Sequence, residues 1–379
     1  MLLEFGARNF FSFKEGFDFS LELNGNCPEN ISKGKKVANI MCLKGANASG
    51  KTNTLRAMAF IKYLCTESYN NDPKMDIPFE KFFDSTENTD LFCRFAIGDK
   101  IYLYEVSLSK NEILSEELSF DDTEKFIFKR QNDTLTYVAD DFKELEQVRI
   151  RSKVSVINSA RQGEFNSLND IFTFFENVIT NVTEYGLSNF HLDQSLICEN
   201  YRNKQDRFAR VKELLFNADT GIVDVRIARS LSPKGDIQFY PVFYHEYNEK
   251  KYPVPIWYES SGTRKLFYDL ALYYMALDNG GVLLLDEFDI NLHPDILPML
   301  INLFDSAEEN PHNAQMIFST HDTAIMDHLG KYRTYLVNKK NNESYGYRLD
   351  EIPGDILRND RPVSTPYRNG KIGGVPKIV

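Results

Sequence analysis

The sequence predicts an α/β fold with a β-rich N-terminal part and an inserted helical lid subdomain, on three observations. A short apolar run, VANIMCLKG (Val37–Gly45), stops at glycine and passes through a glycine loop into a helical pattern that begins near Lys51. From 263 to 338 the pattern runs helix, strand, helix, strand. The first third alternates with the period of strands, whereas the stretch from about 164 to 216 has helical periodicity.

Each element follows from its residues. Phe17, Phe19, Leu21 and Leu23 alternate with Asp18, Ser20 and Glu22, as in a strand with one face buried. LFCRFAI and IYLYEVSL, on either side of a turn with Gly98 and Asp99, read as a β-hairpin. FNSLNDIFTFFENVI and DRFARVKELLF supply the helical subdomain, and GIVDVRIA and IQFYPVFYHEY return to strand. Leu266, Phe267, Leu270, Tyr273, Tyr274 and Leu277 fall on one face of a helix after Gly262. The expected organisation is an N-terminal lobe over 1–160, a helical insertion over 161–216, a C-terminal lobe over 217–353 and an extended basic tail over 354–379.

Composition excludes several classes. With 379 residues, 42% of them hydrophobic, the chain can bury a large core and is neither disordered nor collagen-like. A net charge of −11 argues against a nonspecific nucleic-acid coat, although a local basic patch remains compatible with it. Charges at Glu4 and Arg8 interrupt any secretory signal, and no window approaches 18 apolar residues, so a soluble, cytoplasmic protein without membrane contact is expected. Five widely spaced cysteines without C-x-x-C predict reduced core thiols rather than disulfides or a zinc site.

Four motifs carry the chemistry. GANASGKT (Gly45–Thr52) matches G-x-x-x-x-G-K-[ST] between a strand and a helix. There the loop backbone of Gly45, Asn47, Ser49 and Gly50 would wrap phosphates, Lys51 would bridge the β- and γ-phosphates, and Thr52 would offer its hydroxyl to Mg2+, with Asn53 following. VLLLDEFD (Val282–Asp289) is a buried-strand run ending in two carboxylates: Asp286 would reach the metal and Glu287 would polarise the attacking water. ESSGTRKL (Glu259–Leu266) places Ser260, Ser261 and Gly262 at a helix N-terminus, where small residues cap the helix or bind an anion. AQMIFSTHD is a strand leading to His321, 35 residues past Asp286. The segment NKKN (338–341) lacks the aspartate that reads guanine in N-K-x-D, which favours ATP over GTP.

In this order the motifs resemble the ABC-type ATPase head of RecF, SMC, the OLD-family proteins and the AAA-family ATPases of phage-defence operons. The likeness is nearest to the stand-alone defence ATPases, through ARNFFSFKEGFDFSL, NADTGIVDV (217–225) and GKIGGVP as well. The resemblance implies that ESSGT is the signature motif, FDINLHP the D-loop region and His321 the switch histidine. The signature departs from the common pattern in starting with Glu259 rather than leucine and in carrying Thr263 where many members have glutamine; Gln162 is the candidate for the Q-loop.

The resemblance further implies a homodimer, or a higher homo-oligomer, in which Ser260, Ser261 and Gly262 of one protomer cap the γ-phosphate held by the other's P-loop. The 208 positions from Thr52 to Ser260 are too few for SMC arms, and the 58 residues after His321 too few for the TOPRIM nuclease module of OLD proteins. A nuclease or toxin activity is therefore expected from a separate effector protein. The implied role is the sensor or regulatory half of an antiphage system, with a RecF-like DNA-binding ATPase as the alternative. Arg202, Lys204, Arg207, Arg210 and Lys212 form a basic run suited to a nucleic-acid backbone, to an acidic partner or to a solvated helix face.

Overall fold

The structure is a computed structural model that describes residues 1–375 apart from 122, 124, 189–192, 219, 220, 232–234, 355 and 360. Asp219 and Thr220 of NADTGIVDV, Pro376 of GKIGGVP and Lys377 of the tail lie outside the described residues. Two compact units result, one formed by 1–188, 276–288 and 301–379, the other by 189–275 and 289–300.

In the first unit the N-terminal alternation becomes an antiparallel sheet of seven strands. In spatial order they are Phe17–Ser20, Leu2–Arg8, Thr89–Ile97, Lys100–Leu108, Ile113–Phe120, Lys125–Gln131 and Thr134–Val138. The hairpin turns at Gly98, whose φ of 58° suits glycine. Inside this sheet Glu116 and Arg130, both with fully buried side chains, pair at 3.2 Å. Burial pushes the Glu116 carboxyl up, against the opposing pull of the Arg130 guanidinium and of the Val156 N–H. Both carboxylate oxygens accept the Val156 N–H, and Arg130 Nη1 donates to the Val154 carbonyl, so the pair ties the loop before the helix Val156–Gln162 to the sheet.

The same unit holds a sheet of six strands in the order Glu343–Arg348, Thr334–Lys340, Ile40–Lys44, Gln315–Ser319, Val282–Leu285 and Val178–Thr180. Pairing is parallel throughout, except between the first two. Ile40–Lys44, Gln315–Ser319 and Val282–Leu285 are buried at every position, as expected of parallel strands covered on both faces. The helix Lys51–Thr66 packs into the core through Leu55, Met58, Phe60, Ile61 and Leu64. Within 161–216 the structure differs from the expected helical insertion: Asn169–Glu176 is helical, but the β-branched run that follows forms Val178–Thr180 and joins the parallel sheet beside Val282–Leu285.

The tail also differs from the extended form expected of it. Ser364–Arg368 is a short helix, and Leu357, Val363, Tyr367 and Ile372 cluster with Met326, Leu336 and Leu349. Tyr347 and Tyr367 donate their hydroxyls to the carbonyls of Ile372 and Gly374, which fastens the segment to its own unit.

The second unit contains the helices Gln194–Asn203 and Gln205–Asn217, and the antiparallel strands Ile222–Leu231, Ile237–Tyr247 and Lys250–Pro255. The turn Ile256–Tyr258 leads into the helix Ser261–Asn279. All six apolar residues expected on one face of that helix are buried. Phe267 packs edge-on against Tyr201 and Phe243, with ring centroids 5.2 and 5.6 Å away.

All five cysteines are free, and only Cys27 is not buried. Burial pushes the Cys93 and Cys65 thiols up, and that of Cys198 to about 12, so thiolate, the reactive form, is scarce there. A disulfide reagent added to the native protein is expected to label Cys27 first, and the other four only at the rate of opening or unfolding. Rapid labelling of more than one thiol, counted by mass, would contradict this burial pattern.

Candidate functional site

Chain direction concentrates the motifs. Gly45, Asn181, Asp286 and His321 follow the carboxyl ends of four strands in the six-stranded sheet, the edge at which open parallel sheets bind ligands. The P-loop then turns in a way that forbids side chains at two points. A Cβ at Gly45 would stand 2.2 Å from the Val337 carbonyl oxygen, and Gly50 has a φ of 117°, with Ser344 Oγ 2.7 Å from where its Cβ would be. Gly50 caps the helix Lys51–Thr66, whose first N–H groups and dipole favour an anion. Lys51 is buried, its ammonium donating to the carbonyls of Gly45 at 3.0 Å and Ala46 at 3.1 Å. Ser49 Oγ is buried and has no hydrogen-bond partner among the described residues, and Asn47 is exposed on the loop.

Thr52 and Asp286 meet directly, Thr52 Oγ1 donating to Asp286 Oδ2 at 2.6 Å. Asp286 is 3% exposed and also accepts from Ser319 Oγ. A hydroxyl and a carboxylate converging beside a phosphate cradle are hard oxygen donors that fit Mg2+, which keeps waters and phosphates as its other ligands. Among the described residues no group of three or more His, Cys, Asp or Glu forms a protein-only metal cage. Glu287 adopts a φ of 52°, a left-handed conformation unusual for glutamate, and its N–H is held by Ser319 Oγ at 2.9 Å. Such strain gathers at functional positions. His321 is exposed just beyond the buried Thr320.

Several supporting residues escaped the sequence reading. Asn181 clamps the Asp286 peptide from both sides: its Oδ1 accepts the Asp286 N–H at 2.7 Å and its Nδ2 donates to the Asp286 carbonyl at 2.9 Å. Its only sequence signal is its place after a short β-branched run. Ser12 and Ser344 brace the loop: Asn53 Nδ2 donates to Ser12 Oγ at 2.9 Å, and Ser344 Oγ donates to the Ser49 carbonyl at 2.6 Å. Asn53 thus anchors the opening ARNFFSF segment. Arg56 stacks over the Phe11 ring at 4.1 Å; burial pulls its guanidinium down, opposed by the Asp286 carboxylate. Gln162, the Q-loop candidate, is the exposed last residue of its helix.

The signature turn lies in the second unit. Ser260 Oγ accepts the Thr263 N–H at 3.1 Å and contacts Thr263 Oγ1 at 3.0 Å, which makes Ser260 the N-cap and gives Thr263 a structural use. Ser261 is exposed. A Cβ at Gly262 would stand 2.7 Å from the Asn291 carbonyl oxygen, so the glycine permits the D-loop region to approach. A cavity of about 360 Å3 is lined by Glu259, Ser260, Gly262, Thr263, Asn291 and His293, among others. The basic run is largely engaged within its own unit. Arg202 and Arg207 lie over the rings of Phe239 and Tyr274, Arg210 pairs with Glu213, and Lys212 pairs with Asp224.

Residues 40–327 match the family described as AAA domain, putative AbiEii toxin, type IV TA system, a span that includes the P-loop, the signature turn, Asp286 and His321. Among solved structures, an SMC head bound to the C-terminal winged-helix domain of ScpA is 14% identical, with 92% of this chain and 99% of that chain covered and a TM-score of 0.48. An SMC head domain with an extended coiled coil, bound to the C-terminal domain of ScpA derived from Pyrococcus furiosus, is 12% identical, with 92% and 97% covered and a TM-score of 0.45. No curated protein matches the chain.

Proposed function

The chain belongs to the AAA-domain family described as putative AbiEii toxin, type IV TA system, a family of ABC-like P-loop ATPases, and from that premise we propose that it binds and hydrolyses ATP in a composite site between two copies of itself. The observation that carries the reading is the convergence of the P-loop, Thr52 and Asp286 at the carboxyl edge of one parallel sheet, with Thr52 Oγ1 2.6 Å from Asp286 Oδ2. The loop amides and the helix N-terminus at Gly50 hold the phosphates, and Lys51 neutralises charge between the β- and γ-phosphoryl groups. Mg2+, when bound by Thr52 and Asp286, supplies positive charge to the phosphate oxygens. Glu287 takes a proton from the attacking water, and His321 orients that water or the γ-phosphate. Ser260, Ser261 and Gly262 of the second copy close the site by capping the γ-phosphate, so the working form is a homodimer.

The family's description, with its toxin–antitoxin setting, supports a role in abortive, antiphage defence. Within it we assign this chain the sensor or regulatory part, acting with a separate nuclease or toxin as effector in the cytoplasm. Among the described residues no helix is long and apolar enough to cross a membrane. A RecF-like DNA-binding ATPase is the second reading, favoured by the basic run at 202–212; the own-chain partners of Arg202, Arg207, Arg210 and Lys212 leave that run less suited to a phosphate backbone.

Lys51→Ala tests the site. Each charge-assisted hydrogen bond to phosphate contributes about 1.5–3 kcal/mol, so ATP affinity in a direct titration is expected to fall roughly 10- to 100-fold or more. Affinity equal to that of the parent protein would overturn the assignment of the P-loop.

A further inference from the structure

Glu259 is the residue at which the signature turn departs from the usual leucine, and its surroundings give the departure a use. Its side chain is only 7% exposed, yet it carries a carboxylate to the wall of the cavity that Ser260, Gly262, Thr263, Asn291 and His293 also line. A carboxylate at that place works against the proposed task of the turn, because an uncompensated negative charge beside a γ-phosphate site repels the phosphate, the more strongly in the low dielectric of a closed interface. The compensation comes from the neighbouring strand. His245, on Ile237–Tyr247, places Nε2 2.7 Å from Glu259 Oε1. An imidazole N–H donated to the carboxylate screens it whether the ring is neutral or charged, and it also fixes the side chain one residue before the N-cap Ser260. The same sheet continues through Lys250–Pro255 and the turn Ile256–Tyr258 into Glu259, so His245 ties the sheet to the turn across the hairpin.

We propose that His245 is a positioning residue of the signature turn: by holding and screening Glu259 it lets Ser260, Ser261 and Gly262 accept the γ-phosphate of a partner copy. The proposal rests on the composite-site reading.

The test compares His245→Ala with the double variant His245→Ala/Glu259→Gln, which also removes the charge that His245 screens. For His245→Ala, ATP affinity at the P-loop is expected to equal that of the parent, while kcat falls about tenfold or more, as for loss of a hydrogen bond to a buried charge. The double variant is expected to recover part of that loss, since no bare carboxylate is left although the side chain at 259 is no longer held. A double variant no faster than His245→Ala, or a His245→Ala protein with parental kcat, would overturn the proposal. Circular dichroism and thermal melting of both variants separate this outcome from misfolding, because a merely structural contact would lower Tm alike in both and give no rescue of kcat. Lys51→Ala run in parallel isolates the underlying reading: turnover that survives Lys51→Ala indicts the P-loop as the site of hydrolysis, whereas turnover abolished by it leaves the two His245 variants as the measure of the pair.

Discussion

Glu287→Gln protein is expected to bind ATP as tightly as the parent and to hydrolyse it about 10²-fold more slowly or worse, the usual worth of a positioned general base. The amide keeps the size of the carboxylate but cannot take a proton. Ser319 Oγ holds the N–H of residue 287 and not its side chain, so the left-handed backbone at that position survives the change. The Thr52–Asp286 pair is untouched for the same reason, and nucleotide affinity, which depends on it and on Lys51, stays. With hydrolysis removed, ATP is expected to hold two copies together for long enough to be seen by size-exclusion chromatography with light scattering. Parental turnover in single-turnover assays would show that Glu287 is not the base, and His321 would be the first residue to examine in its place.

How much of this was legible in the sequence depends on the range of the interaction involved. The P-loop and the strand ending in Asp286 and Glu287 are local patterns, and the structure brings Thr52 and Asp286 within a hydrogen bond although 234 positions separate them. The alternation that begins at Phe17, of which Phe17–Ser20 forms a strand, and the hairpin about Gly98 were legible for the same reason, since one face of each strand is buried. Val178–Thr180 was not. Three residues after a helical run leave no periodicity to count, and what makes them a strand is the open edge of Val282–Leu285, a partner more than 100 positions away. Asn181 stayed hidden with it, because an asparagine side chain that completes the hydrogen bonds of a distant peptide has no spacing signature. The tail differs for another reason. Its prolines, glycines and basic residues suggested an extended segment, yet Leu357, Val363, Tyr367 and Ile372 find an apolar floor supplied by Met326, Leu336 and Leu349. In the signature turn the departure at Glu259 was visible, while its partner His245 required the three-stranded sheet to be seen.

The largest effect is expected at Ser261, which is exposed at the start of the helix Ser261–Asn279. On the proposed composite site, Ser261→Arg places a long, branched cation where a partner's γ-phosphate would approach within hydrogen-bonding distance of the turn. Closure is then blocked by volume and by displacement of the N-cap geometry set by Ser260 and Thr263. Each P-loop is left intact, so ATP binding persists and hydrolysis disappears. Preorganised donors at a transition state are worth about 10²- to 10³-fold singly, and loss of the whole cap exceeds that.

Mixing Ser261→Arg protein with Lys51→Ala protein therefore tests the central claim, that each active site draws on two copies, most directly. In a mixed dimer the intact P-loop of the first protein meets the intact signature turn of the second, and both lesions fall together in the other site. At equal amounts and free exchange, half of the dimers are mixed and half of their sites are whole, so about a quarter of the parental ATPase rate is expected from two preparations that are each inactive. Subunit exchange is verified with differently tagged copies. Mixed dimers that form and remain inactive would contradict the composite site and leave an ordinary P-loop ATPase working within one chain.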